Sequence, residues 1–121
     1  PVWKAGTAIT LGNGSVLGRY AIKGDQITVV SKLVVGSTTS FPGGTLGMDL
    51  PVVSGVSGAQ YLGNWRIFDS SASAFTFGQS EIDGNASSLT LQVSGGTFAT
   101  QASPVPLADG DVVSVQITYN R

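Results

Sequence analysis

From Asp111 to Arg121 apolar and polar residues alternate almost without interruption. Val113, Val115, Ile117 and Tyr119 fall on one side, and Ser114, Gln116, Thr118 and Asn120 on the other. A period of two belongs to a strand with one face against a core. The same period recurs along the chain between clusters of Gly, Ser, Thr, Asn and Asp. The three-and-four spacing of an amphipathic helix is missing, because Gly, Pro or β-branched clusters interrupt every window long enough to carry it. The chain is therefore predicted to be all-β.

Val16 to Lys23 reads as one strand, Gly24-Asp25 as a tight turn, and Gln26 to Val35 as the returning strand of a hairpin. On the returning strand Ile27, Val29, Leu33 and Val35 share a face with Ser31, while Gln26, Thr28, Val30, Lys32 and Val34 share the other. Both faces are partly apolar, which predicts a central strand covered on both sides. Gly36 to Gly44 reads as a loop, and Thr45 to Leu50 as a short strand stopped by Pro51. Val52 to Ala59 carries no clear pattern. Gln60 to Asp69 reads as a strand with Gly63 at a bulge. Ala74 to Ile82 follows, with Phe75 and Phe77 on one side, and then Ser88 to Val93, with Leu89, Leu91 and Val93 inward. Gly95-Gly96 turns the chain, and Ser103 to Gly110 is a proline-containing connection. Seven or eight strands at roughly even spacing predict an antiparallel β-sandwich of jelly-roll type, with one domain over residues 1–121.

The side-chain inventory narrows the chemistry. There is no His and no Cys, and only 11% of residues are charged, against roughly 25% in an average domain. Disulfides, thiolate metal sites, cysteine nucleophiles and a Ser-His-Asp triad are thereby excluded. No Ser-x-x-Lys motif offers a lysine base, and Gly12-Asn13-Gly14 has neither the helix nor the lysine of a phosphate-binding loop. Oxygen ligands remain available for a hard cation. Glu81-x-Asp83-Gly84-Asn85 and Asp109-Gly110-Asp111 hold closely spaced carboxylates, yet Asp and Gly are also ordinary turn formers, and the full calcium-loop spacing is missing. A glycosidase would need two carboxylates facing each other across a cleft; Glu81 and Asp83 supply a pair but nothing specifies a groove. The reading is a non-enzymatic chain with no cofactor and no metal.

Six basic and seven acidic residues leave a net charge of -1, and the bases are scattered along the sequence, which argues against nucleic acid as a partner. No apolar run approaches the ~20 residues of a membrane-spanning helix. The opening Pro1-Val2-Trp3-Lys4 lacks a signal peptide and reads as processed, or as excised from a longer polypeptide. Surfaces poor in charge suit assembly, since few charges must be desolvated when subunits meet. Aromatic residues are the remaining candidates for recognition. Trp3, Tyr20, Tyr61, Trp65 and Tyr119 could stack on sugar rings, or fill a core or a subunit interface. Tyr61, Trp65 and Asp69 are the ligand-binding candidates, and Trp3 and Tyr20 the oligomer-interface candidates. The loops Gly55 to Gln60, Asp69 to Ala74 and Asp83 to Ser87 are the places to expect variable recognition.

Several turn motifs carry a resemblance. Trp3 precedes Leu11-Gly12-Asn13-Gly14-Ser15-Val16-Leu17-Gly18-Arg19-Tyr20; Gly24-Asp25 leads to a strand ending Leu33-Val34-Val35-Gly36-Ser37-Thr38-Thr39. Gly43 or Gly44, then Leu50-Pro51, close the first half, and Ala108-Asp109-Gly110-Asp111 precedes the strand that reaches Tyr119. This pattern resembles a β-rich module of structural proteins in tailed bacteriophages, of the tail, fibre or head-decoration type. It covers the first ~50 and last ~20 residues around a variable middle, and Leu107 stands where the pattern usually has an aromatic. The resemblance implies a virion surface protein, other virion proteins as partners, and a homotrimer. It also allows attachment to a host-surface glycan. The competing expectation is a carbohydrate-binding module at the tail tip.

Overall fold

The computed structural model describes residues 2–55, 59–83, 86–93 and 97–121, with Asp83 by its backbone alone. Ten strands follow in chain order: β1 (Trp3–Ala5), β2 (Thr7–Ala8), β3 (Ser15–Lys23), β4 (Gln26–Val34), β5 (Leu46–Asp49), β6 (Gln60–Asp69), β7 (Ala74–Asp83), β8 (Ser88–Val93), β9 (Thr97–Phe98) and β10 (Val112–Asn120). None of the described residues is helical. All pairings are antiparallel, and the strand order is β2-β1-β5-β8-β7-β6-β10-β4-β3, with β9 beside β8.

The all-β antiparallel expectation holds. The count rises to ten because β1, β2 and β9 are two- or three-residue strands, too short for a period to register in sequence. The strands form one continuous ladder that curls into a half-barrel, rather than two separately paired sheets. The curl shows in one contact. β1 and β4 lie near opposite ends of the strand order, yet the Trp3 indole N–H donates to Ser31 Oγ at 3.1 Å across the interior. Right-handed strand twist accumulates over many strands, and curling lets such a sheet bury its own inner face.

The inner face carries the core. Ile27, Val29 and Leu33 of β4 meet Val113, Val115, Ile117 and Tyr119 of β10, Trp65 and Ile67 of β6, and Leu89 and Leu91 of β8. Each such side chain contributes roughly 1.5–3 kcal/mol when fully enclosed. β4 differs from its expected environment: Ile27, Val29, Ser31 and Leu33 are buried, but Gln26, Thr28, Val30 and Lys32 face solvent. The strand is central in hydrogen bonding and covered on one side only, because no second layer of described residues lies over the outer face.

Gly63 makes no bulge toward β7, while the ladder to β10 ends beside it at Gln116↔Asn64. β6 and β7 pair without a break from Gln60↔Asp83 to Asp69↔Ala74. The glycine serves the other neighbour, since a Cβ there would overlap the Gln116 carbonyl oxygen of β10. The Asp111–Arg121 alternation becomes β10, whose apolar side is buried as its period requires.

Candidate functional site

The sequence candidates do not converge. Tyr61, Trp65 and Asp69 all lie on β6, and Tyr61 and Asp69 stand ~26 Å apart at ~3.3 Å per residue. Trp65 is only 2% exposed, directly opposite Gly78 of β7, with its indole N–H donating to the Gln92 carbonyl at 2.9 Å. Its ring is a core element and offers no face to a sugar. Tyr61 is half-buried and meets the ring of Tyr119 edge-on at 6.4 Å. Tyr119 donates its hydroxyl to the Val52 carbonyl at 2.6 Å, and burial raises its pKa above the ordinary phenol value.

Asp69 ends β6 and organises the turn to β7. Its Oδ1 accepts from the Ser71 hydroxyl at 2.8 Å, the Ser71 N–H at 3.1 Å and the Ala72 N–H at 3.4 Å. The Ser71 hydroxyl is the main reason its pKa lies below the ordinary carboxylate value; desolvation opposes this, and the two backbone N–H groups add to it. A depressed folded-state pKa means the turn is held above the free-aspartate value and released as pH falls through the folded one. Acid titration by NMR should move the Ser71 and Ala72 amide resonances together, with a midpoint below 3.8, and Asp69→Asn should abolish that titration. A midpoint at or above 3.8 contradicts the assignment.

The interface candidates also separate. Trp3 is buried inside the chain, while Tyr20 on β3 is 57% exposed. Tyr20 lies on the inner side of β3, where it borders a hollow of about 260 Å³ with Val2, Val29, Met48 and Leu50. The hollow occupies the gap where the half-barrel fails to close. β3 itself has β4 on one side and, among the described residues, no strand on the other. The two-residue turn, with Gly24 at φ 61°, makes Lys23 and Gln26 a hydrogen-bonded pair. Alternation then aims the N–H and C=O groups of Val16, Gly18, Tyr20 and Ile22 at the open edge. Ile22 is exposed on the inner side and Leu17 on the outer.

The expected recognition loops split between the two ends of the sheet. Residues 69–74 join β6 to β7 beside Asp111, whereas Ser54 and Ala86 meet at the opposite end through the Ser54 N–H and the Ala86 carbonyl. Residues 56–58, 84 and 85 and the Asp83 side chain lie outside the described residues, as does the Gly95-Gly96 turn. Glu81 lies on the outer face opposite Leu62. Asp109 and Asp111 fit the turn-former reading. Asp111 Oδ1 accepts from the Ser70 N–H at 2.9 Å and the Ser70 hydroxyl at 3.1 Å, and Oδ2 from the Ala108 N–H at 2.9 Å. Among the described residues no three carboxylates gather as a metal-binding group.

The outer sheet face is what the sequence reading missed. Cross-strand register places Leu17, Lys32, Ser114, Arg66 and Phe77 in one row over β3-β4-β10-β6-β7, and Arg19, Val30, Gln116, Asn64 and Gln79 in the next. Phe77 is 71% exposed, Phe75 is also exposed, and the Arg66 guanidinium lies 4.5 Å from the Phe75 ring centre. Phe68 packs against Phe75 in a tilted contact, ring centres 5.1 Å apart. Alternation at Phe75 and Phe77 was legible as a shared side, but which side required the register. No family model, curated protein or solved structure matches the chain.

Proposed function

We propose that the chain is a non-enzymatic structural module of a tailed-bacteriophage particle, displayed at the particle surface in a tail, fibre or head-decoration position. It assembles there with other virion proteins and as a homotrimer, and it works by contact rather than by bond chemistry. The turn motifs from Leu11 to Tyr20 and from Ala108 to Asp111 support the phage assignment. The observation that carries the assembly reading is β3: a nine-residue strand, open along one edge among the described residues, with Tyr20 exposed beside the apolar hollow, Ile22 exposed on the same side and Leu17 on the other. A long open edge is a template for pairing with another chain, and natural proteins cover such edges in their working assembly. We read the curled sheet as an open relative of the jelly-roll sandwich, with the β1-β5-β8 side folded over β4 and β10 and completed by a neighbouring copy.

Light scattering on the purified chain should give the mass of a trimer, and Tyr20→Asp combined with Ile22→Asp should reduce it to a monomer with unchanged far-ultraviolet dichroism. A wild-type monomer at all concentrations, or a trimer indifferent to the double variant, contradicts assembly through β3. Antibody raised against the chain should decorate intact particles.

The outer face favours a second reading, carbohydrate recognition at the host surface. An exposed aromatic platform beside amide and hydroxyl side chains is suited to sugar rings and their hydroxyls.

A further inference from the structure

Four of the six basic residues of this acidic chain, Arg19, Lys23, Lys32 and Arg66, stand on the outer face of the five strands β3-β4-β10-β6-β7. The net charge of -1 gives no hint of this segregation. Among the described residues none of the four has an acidic partner: the one ion pair there joins Lys4 to Asp49 at 2.9 Å, on other strands. The described carboxylate on this part of the face is Glu81, further along β7 than Phe77.

β10 runs between the cations and presents short side chains outward, Ser114 among them. Lys32 of β4 and Arg66 of β6 stand on either side of Ser114, two strand spacings or ~10 Å apart at the backbone. A shallow trough results, with one depression of about 290 Å³ bordered by Asn64, Arg66, Phe77 and Gln116, and another of about 370 Å³ bordered by Lys32, Phe68 and Phe75. The Arg66 guanidinium lies over the Phe75 ring, 4.5 Å from its centre, and this cation–π contact restricts the side chain before any ligand arrives.

We propose that this trough binds a carboxylated polysaccharide, a polymer of the hexuronate type. Arg66 pairs with a sugar carboxylate in bidentate fashion, Lys32 and Arg19 attract neighbouring carboxylates, and Phe77 takes the apolar face of a pyranose ring. Asn64, Gln79, Gln116 and Ser114 supply donors and acceptors for hydroxyl groups. This composition favours a sugar over a single-stranded nucleic acid. The exposed rings Phe75 and Phe77 lie side by side, tilted, with centres 6.3 Å apart and Phe68 next to Phe75, making one platform in one corner rather than the succession that consecutive bases need. The proposal rests on the carbohydrate reading of the outer face and is independent of assembly through β3.

Titration of the full chain with oligogalacturonate and with a hyaluronan oligosaccharide, at low and physiological salt, tests it. At least one should bind, more weakly as salt rises, and its carboxyl-reduced counterpart should lose about tenfold or more in affinity. Arg66→Ala should cost about tenfold and Phe77→Ala about fivefold, and Lys32→Glu should abolish binding at physiological salt. All three side chains lie on the open face, and unchanged thermal melting confirms that the variants fold. The proposal is overturned if neither carboxylated glycan binds, if neutral xylan or cellulose oligomers bind equally well, or if the three variants bind like the wild type. Tighter binding of oligo-dT than of either glycan overturns it in favour of nucleic acid. Equal binding to a neutral sugar, still lost in Phe77→Ala, keeps carbohydrate recognition and removes the acidic specificity.

Discussion

Trp65→Ala should destabilise the fold by about 3–5 kcal/mol, a drop of roughly 10 °C or more in melting temperature. Trp65 is among the largest fully buried side chains, and its indole N–H satisfies the Gln92 carbonyl. Truncation removes the ring, opens a cavity in the inner layer and leaves that carbonyl without the donor. The ring also explains its cross-strand partner. A Cβ at Gly78 would overlap the indole, so Gly78→Ala should be costly in the wild type, by about 2 kcal/mol or more. In the Trp65→Ala background the same change should cost little, because the overlap is gone and alanine fills part of the cavity. Urea melts of the two single variants and the double variant measure the coupling directly. Additive losses would refute this packing relation.

Asp111→Ala is the second large effect, expected at about 3 kcal/mol in the same urea melts. The carboxylate is 1% exposed and accepts two bonds from Ser70 and one from Ala108. It ties the start of the β6–β7 turn to the approach to β10. Its backbone joins in: the Asp111 carbonyl accepts from the Val35 N–H, and the Val35 carbonyl from the Gly110 N–H. Removing the side chain strands three donors at once. Asp111→Asn should retain part of the loss, about 2 kcal/mol, since an amide keeps one acceptor oxygen but turns an N–H group toward a donor. Asp109→Ala, at an exposed position, should stay within about 0.5 kcal/mol of wild type. A neutral Asp111→Ala would remove the structural role assigned to the Ala108–Asp111 motif.

Much of the fold was legible before any coordinates, because a strand's period is local. The long strands β3, β4, β6, β7, β8 and β10 were each signalled by alternation and bounded by turn residues. So was the hairpin at Gly24-Asp25, where a short loop sets the pairing. The Ala108–Asp111 turn stood out as a motif, though its meaning as a three-bond clamp depended on Ser70 arriving from β6.

The candidate site was much less legible. Trp65 looks in sequence like any aromatic on an alternating strand; its closure follows from Gly78 lying opposite and from Gln92 two strands away. Tyr20 remains open because β3 ended up at the edge of the sheet, which its own residues do not announce.

Alternation and turn chemistry act over a few residues, so the chain alone determined that it is a sheet protein, where its long strands lie and which side chains share a side. Strand order, curl and which of the two sides faces inward come from pairings between distant segments. Those pairings brought Arg19, Lys32 and Arg66 to one surface, left β3 at the edge of the sheet and closed Trp65 away. Only the tertiary structure could decide them, because burying one face of a curled sheet is a collective choice made by all its strands together.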